Sequence, residues 1–339
     1  MWNLKNETPF AASYANSQNY RTGGAIWRVA VKGTFDISPN GSLGIAEEQV
    51  EVLSSPRYRD EEDNSSIVYP GDLEAQAKDR VDVLLNAHAY APQNKKAKEI
   101  SVGVAIDKWV KQLKVIGDRR WDSSLGIMFQ TDPTPFEKIP IIYENAFGGV
   151  DDFKEEELFF EGNPVGKGYA KSRSHRIGQK LPNIEYLDQP TKNGKPGKNR
   201  VAGFGPICAH WAPRFNYGGT YDEKWREERF PLNPLDFNRM FYQCAPEDQQ
   251  IRNIFGGEKV VLLNLTPGVG YLEFKLPDVE LTFHTKIKRN IIQHQASLHT
   301  ILIEPDFPRL QMVWHTSVDC HNQERDVERT YIECKIHKL

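Results

Sequence analysis

Ile26-Trp27-Arg28-Val29-Ala30-Val31-Lys32-Gly33 alternates two sets of residues, Ile26, Arg28, Ala30 and Lys32 against Trp27, Val29, Val31 and Gly33. Side chains two apart on an extended chain share a face, so the pattern predicts a strand across residues 24–37. Ser38-Pro39-Asn40-Gly41 then supplies a turn, Asn-Gly being a strong hairpin cue. Further along, Val50-Glu51-Val52-Leu53 continues the β pattern, and residues 81–90 read as a half-buried strand closed at Pro92. Ser101–Ile106 and Lys111–Gly117 form a second hairpin around Asp107-Lys108-Trp109. Ile139–Glu144 is apolar, with Pro140 confining it to an edge or a strand start.

The middle of the chain changes character. Residues 151–161 carry six acids against one Lys, and residues 167–200 carry nine Lys or Arg against Glu185 and Asp188. Residues 193–199, Asn-Gly-Lys-Pro-Gly-Lys-Asn, are a loop by composition. A helix is expected after Cys244, with Pro246 in its first turn, Glu247 and Asp248 at the positive end of its dipole and Gly256-Gly257 closing it. From Lys259 onward six further β segments follow: Lys259–Leu265, Tyr271–Leu276, Val279–Lys286, Leu298–Glu304, Arg309–Val318 and Asp326–Ile336. The fold class is mainly β. Sandwich-like sheets occupy the N- and C-terminal parts, joined by a long irregular middle with few short helices. The boundaries fall at 1–149, 150–257 and 258–339, or the three parts make one continuous domain.

Composition narrows the function. The 339 residues suffice for a sizeable core, and a net charge of −3 gives no global reason to bind nucleic acid or an anionic membrane. The basic stretch 167–200 could contact phosphates, but the adjacent acidic run offsets it. No window approaches a membrane span and no export signal stands at the N-terminus, which points to a cytoplasmic location with reduced thiols. The four cysteines, Cys208, Cys244, Cys320 and Cys334, are scattered, a Cys320–Cys334 bridge across a hairpin being the one pairing to consider.

Catalytic constellations are not evident. Five of nine histidines, His284, His294, His299, His315 and His321, cluster in the C-terminal β region, yet none shows metal-ligand spacing. No Gly-x-Ser-x-Gly occurs, and Gly166-Lys167-Gly168 and Gly203-Phe204-Gly205 are turn material rather than nucleotide loops. No catalytic, cofactor or metal residue is therefore assigned, and no cofactor is expected. Aromatics grouped with Arg and Pro remain. Trp211, Arg214, Tyr221 and Trp225 form the kind of cluster found at binding hot spots, or equally the irregular core beneath the insertion.

Seven short motifs recur in a fixed order: Asn6-Glu7-Thr8-Pro9-Phe10, Val31-Lys32-Gly33-Thr34-Phe35-Asp36, Gly117-Asp118-Arg119-Arg120-Trp121, Tyr143-Glu144-Asn145-Ala146-Phe147-Gly148-Gly149, Asn163-Pro164-Val165-Gly166-Lys167-Gly168-Tyr169, Ala202-Gly203-Phe204-Gly205-Pro206 and Gly218-Gly219-Thr220-Tyr221-Asp222-Glu223-Lys224-Trp225. In this order they resemble a bacterial domain-of-unknown-function family encoded beside type VI secretion spike and PAAR-tip effector genes. The resemblance runs from Asn3 to Leu276 and leaves the C-terminal segment unmatched. It implies a cytoplasmic, non-enzymatic adaptor or chaperone that binds an effector, a PAAR or VgrG spike protein being the partner, and helps load it. It carries over no catalytic residue. Two alternatives are a carbohydrate-active hydrolase on a β-sandwich and a structural component of the secreted spike.

Overall fold

A computed structural model describes residues 3–60, 65–74, 78–151, 158–172, 174–191, 200–320 and 326–339. Much of the acidic run, the loop at 193–199 and His321 lie outside these residues. The fold is mainly β and rests on three sheets. Their strands are β1 (Leu4–Asn6), β2 (Ala11–Gln18), β3 (Ala25–Ile37), β4 (Leu43–Ile45), β5 (Val81–Leu85), β6 (Glu99–Ile106), β7 (Trp109–Ile116) and β8 (Ile184–Tyr186). Then come β9 (Gln250–Ile251), β10 (Lys259–Thr266), β11 (Val269–Lys275), β12 (Asp278–Ile287), β13 (Asn290–Gln295), β14 (Ser297–Glu304), β15 (Arg309–Asp319) and β16 (Val327–Lys338).

The central sheet has the order β9-β5-β14-β15-β3-β2, with β4 paired to the end of β3. A five-stranded sheet runs β8-β7-β6-β10-β11, and a four-stranded one runs β1-β16-β12-β13. N- and C-terminal segments thus share every sheet: β14 lies parallel to β5, β15 antiparallel to β3, and β10 antiparallel to β6. The two β regions read from the sequence are interleaved within the sheets. One hydrophobic core joins all three sheets, with Trp27, Val29 and Val31 meeting Val102, Leu113, Val260, Leu281 and Phe283.

The strand at 24–37 and the hairpin β6–β7 form where the alternation placed them. Asn40-Gly41 turns β3 into β4; Gly41 has φ +82°, and a Cβ there would lie 1.9 Å from the Glu273 carbonyl oxygen. Three expectations are corrected. Val50–Leu53 is not a strand, because side chains satisfy its amides instead: Val50 N–H donates to Thr34 Oγ1 at 3.0 Å and Leu53 N–H to Asp72 Oδ2 at 2.7 Å. The helix after Cys244 shrinks to a single 3₁₀ turn, Glu247–Gln249, since Gln250 already pairs with Asp82 as a strand. An additional strand, β13, was hidden by its polar and exposed composition. All four cysteines are free thiols.

The two faces of the central sheet differ. Trp27, Val29, Val31 and Phe35 enter the main core, whereas Arg28, Lys32 and Thr34 point the other way and are equally buried. That second face is covered by irregular chain and is strongly polar. Lys32 Nζ lies 3.0 Å from Asp72 Oδ2, and Arg28 Nη1 donates to the Leu73 carbonyl. Asp82, fully buried, accepts from Lys78 Nζ at 2.6 Å, Gln243 Nε2 at 2.8 Å, Cys244 N–H at 3.0 Å and Ala245 N–H at 3.1 Å. Desolvation opposes the Asp82 charge, but Lys78 and the two amides hold its carboxyl below the ordinary carboxylate range. Beside this layer the rings of His299 and His315 stack at 4.8 Å.

A hydrogen-bonded thread crosses the main core. Thr316 Oγ1 donates to the Gln295 carbonyl, so it accepts from His294 Nδ1–H at 2.8 Å. His294 Nε2 then accepts from Thr285, which accepts from Thr330, which accepts from Trp27 Nε1–H at 2.8 Å. Every hydroxyl is used once, and the imidazole must be neutral.

Burial pushes His294 down to about 4, and burial beside Arg28 and Lys78 pushes His315 down to about 3. An unfolded chain binds these protons near pH 6.5 while the folded one does not, so folding stability falls as pH drops from 6.5 toward 4. Urea midpoints measured across that window should decline, less steeply in a His294→Gln variant. Asp82→Ala, which strands Lys78 and two amides, should cost about 3–5 kcal/mol of unfolding free energy in the same assay.

Candidate docking surface

The irregular middle carries several large exposed apolar side chains. Phe215, Tyr221, Phe230 and Leu235 are 65%, 57%, 69% and 82% exposed. Their scaffold is built locally. Asp222 caps α1 (Glu223–Glu228), accepting from Trp225 N–H at 2.8 Å, and this is the one α-helix among the described residues. Six residues is too short for a helix to stand alone, so tertiary ties hold it. Trp225 Nε1–H donates to the Leu232 carbonyl at 2.8 Å, and its ring meets Tyr221 at 4.7 Å and Phe230 at 5.8 Å, both edge to face.

Two further clamps close the segment. Asp236 accepts from Thr220 N–H at 3.0 Å and Thr220 Oγ1 at 2.8 Å, and those bonds hold its carboxyl below the usual range. Arg229 donates to the Asn233 carbonyl and, across the molecule, to the Tyr20 and Arg21 carbonyls at 3.4 Å. Tyr20 packs on Phe237 at 5.3 Å, which continues into Phe241 and Tyr242. The aromatic ridge is thus half floor and half surface: Phe237 and its neighbours hold it down, and Tyr221, Trp225 and Phe230 face outward.

Of the four residues singled out by sequence, two belong to the surface and two to the interior. Trp211 is 2% exposed and packs edge to face on Tyr143 at 5.7 Å, beside Ile67, Ala146 and Cys208. Arg214 is buried as well; it donates to the Ile207 carbonyl at 2.6 Å and the Phe241 carbonyl at 3.0 Å, tying the ridge's floor to the chain before it. Neither presents a surface for a partner. Tyr221 and Trp225 remain, joined by Phe230 and Leu235, neither of them among the four. The Thr-Tyr-Asp-x-x-Trp spacing was the available signal, since it encodes cap and ring contact together.

Several buried titratable groups elsewhere are occupied. Lys111, pushed down to about 8 by burial, gives its three N–H groups to Gly203 O, Asp248 Oδ1 and Gln249 Oε1. Asp151 is buried and engages His175 Nδ1 at 2.9 Å and Lys171 N–H at 2.7 Å. Burial raises the Cys208 and Cys244 thiols to about 11 and about 12, leaving both protonated at neutral pH. No group of three or more His, Cys, Asp or Glu among the described residues is placed to hold a metal ion. No helix of the described residues is long and apolar enough to cross a membrane.

The fold and this surface define a β-sheet protein with a long irregular insertion that presents an aromatic ridge. The chain belongs to the bacterial family DUF2169, described as "Uncharacterized protein conserved in bacteria", whose model matches residues 22–315. The match starts after the first motif and reaches into β15, beyond the Leu276 limit suggested by the motifs. No curated protein and no solved structure matches the chain.

Interior and surface aromatics should separate on substitution. Trp211→Ala is expected to cost about 3–5 kcal/mol of stability, and Phe230→Ala less than about 0.5 kcal/mol. Chemical denaturation of the two variants checks both values.

Proposed function

We propose that this protein is a cytoplasmic adaptor in type VI secretion, which binds an effector and helps load it onto the VgrG or PAAR spike. The observation that carries the binding part is the ridge formed by Tyr221, Trp225 and Phe230, with Leu235 close in sequence. The rings of Tyr221 and Phe230 are left in solvent against the half-buried Trp225, which a capped helix fixes in place. Rigid aromatic side chains lose little entropy on binding and dominate interface energies. The secretion context comes from the ordered motifs and from nothing in the geometry. A binding role without catalysis is supported by the saturation of Lys111 and Asp151 and by the protonated buried thiols, which leave those groups no spare function.

The test is a pull-down of the tagged protein from its own bacterial cytoplasm with quantitative mass spectrometry. A PAAR-type or toxin-bearing protein should be recovered in stoichiometric amount and lost at least tenfold in Trp225→Ala and Phe230→Ala. A partnerless protein in the cytoplasm, or recovery of the chain itself in the secreted fraction, would overturn the adaptor reading; the second result would favour a spike component.

A further inference from the structure

A cleft of about 570 Å³ opens where β12 outruns β13. β12 pairs with β16 along its whole length, but with β13 only from Thr282 onward. At Ala296 the chain leaves the four-stranded sheet and crosses to β14 in the central sheet. Asp278–Leu281 therefore has a strand on one flank, and among the described residues none on the other. The open flank lines the cleft, together with Val81, Ile254, Leu298 and Trp314.

The register decides which amides point into it. Thr330 N–H donates to Asn3 and the Ile332 carbonyl accepts from Glu7, so the even-numbered residues of β16 face β1. Glu333 and Lys335 then face β12, opposite Thr282 and Glu280. Directly opposed residues of an antiparallel pair exchange both hydrogen bonds or neither. Val279 and Leu281, opposite Ile336 and Cys334, therefore direct N–H and C=O away from β16; the Leu281 carbonyl meets Ala296 N–H, which closes the β13 ladder at Thr282 and Gln295, and Val279 faces the cleft. Their side chains are buried at 7% and 4% exposure, while Glu280 is exposed on the outer face. Arg252 stands exposed among the lining residues of the facing segment.

An apolar floor beside the outward-directed N–H and C=O of Val279, which no other described strand meets, fits an extended chain. We infer that this cleft takes an extended segment of a partner protein, added as a strand along Asp278–Leu281. Its alternate side chains are apolar and reach the floor beside Val279 and Leu281. Glu280 already faces Lys335 on β16 and His337 Nε2 at 3.3 Å, so the charge left to match is that of Arg252, and the position facing it is acidic. About four residues of strand, at ~3.3 Å each, span the open flank. Asp79 lines both this cleft and the pocket beneath Leu235 and Phe237, so it adjoins the aromatic ridge. The inference rests on the reading that this protein binds a protein, and it specifies the grip.

The probe is a set of fluorescent synthetic decapeptides with Val or Ile at alternate positions and Lys and Glu between them in both charge orders. Anisotropy should show saturable binding of one charge order, and hydrogen exchange should slow at residues 278–281. N-methylation of every second peptide amide should weaken binding at least tenfold in one register and little in the other. Val279→Pro, which removes one donor from the open flank and none from the β16 ladder, should also weaken it at least tenfold. The inference is overturned if no peptide binds, if both methylated registers bind alike, or if protection falls outside 278–281. It is equally overturned if sedimentation shows a dimer of the chain that Val279→Pro breaks, which would put a second copy in the cleft. Should Val279→Pro not fold, the methylated peptides carry the test on the unaltered protein. Peptide binding that survives a failed pull-down removes only the secretion reading; the converse removes only strand addition.

Discussion

The buried carboxylate of Asp82 is the constraint on which the arrangement of the irregular middle depends. Its neighbours Val81 and Val83 on β5 enter the main core, so alternation turns Asp82 to the opposite face of the central sheet. There it is wholly removed from water, and a charge so placed must be paired. Lys78 supplies the countercharge, while Gln243 and the amides of Cys244 and Ala245 fill the remaining lone pairs. The far end of the insertion is thereby pinned to the sheet, Leu84, Cys244, Ala245 and Leu302 closing around it. Lys32 with Asp72 does the same for the earlier irregular segment. A polar interface of this kind is directional where an apolar one would let the covering loops slide, and that specificity offsets its desolvation cost.

From this anchoring the surface follows. The chain leaves Gln243 through Tyr242 and Phe241, whose rings with Phe237 make the floor of the ridge. Arg214 bonds the Phe241 and Ile207 carbonyls, and Arg229 reaches the Tyr20–Arg21 turn beyond β2. The outward rings therefore stand on a platform tied to the central sheet at several points, even though the one α-helix described in the segment is six residues long. Side chains held this way can meet a partner without first being ordered.

How far the sequence foretold this varies by residue. Strict alternation in β3 and the Asn40-Gly41 turn were legible because they are local, and so was the hairpin around Asp107. Val50–Leu53 was misread because its β-like residues bond to the Thr34 and Asp72 side chains, partners distant in sequence. The same reason hid the burial of Lys32 and Asp82, which alternation alone would turn toward water. Trp211 and Trp225 sit fourteen positions apart in equally aromatic surroundings. One lies under the chain and the other upon it, and only the path of the insertion distinguishes them. The cleft beside β12 was invisible for another reason: it exists because β13 ends early, and an absent neighbour leaves no mark in composition.

The interleaving of the sheets also governs when the structure can form. β3 and β5 leave the ribosome well before their central-sheet neighbours β15 and β14. During synthesis Trp27, Val29, Val31 and Val83 must wait, incompletely covered, until those later strands have emerged. Pairings of such long sequence separation close slowly, so the nascent protein passes through an extended period in which its most apolar strands lack their neighbours. Any protein that shelters nascent chains would find its clients' signature here, and truncation by a premature stop would leave a product with β3 lacking β15 and β5 lacking β14 rather than a smaller folded domain.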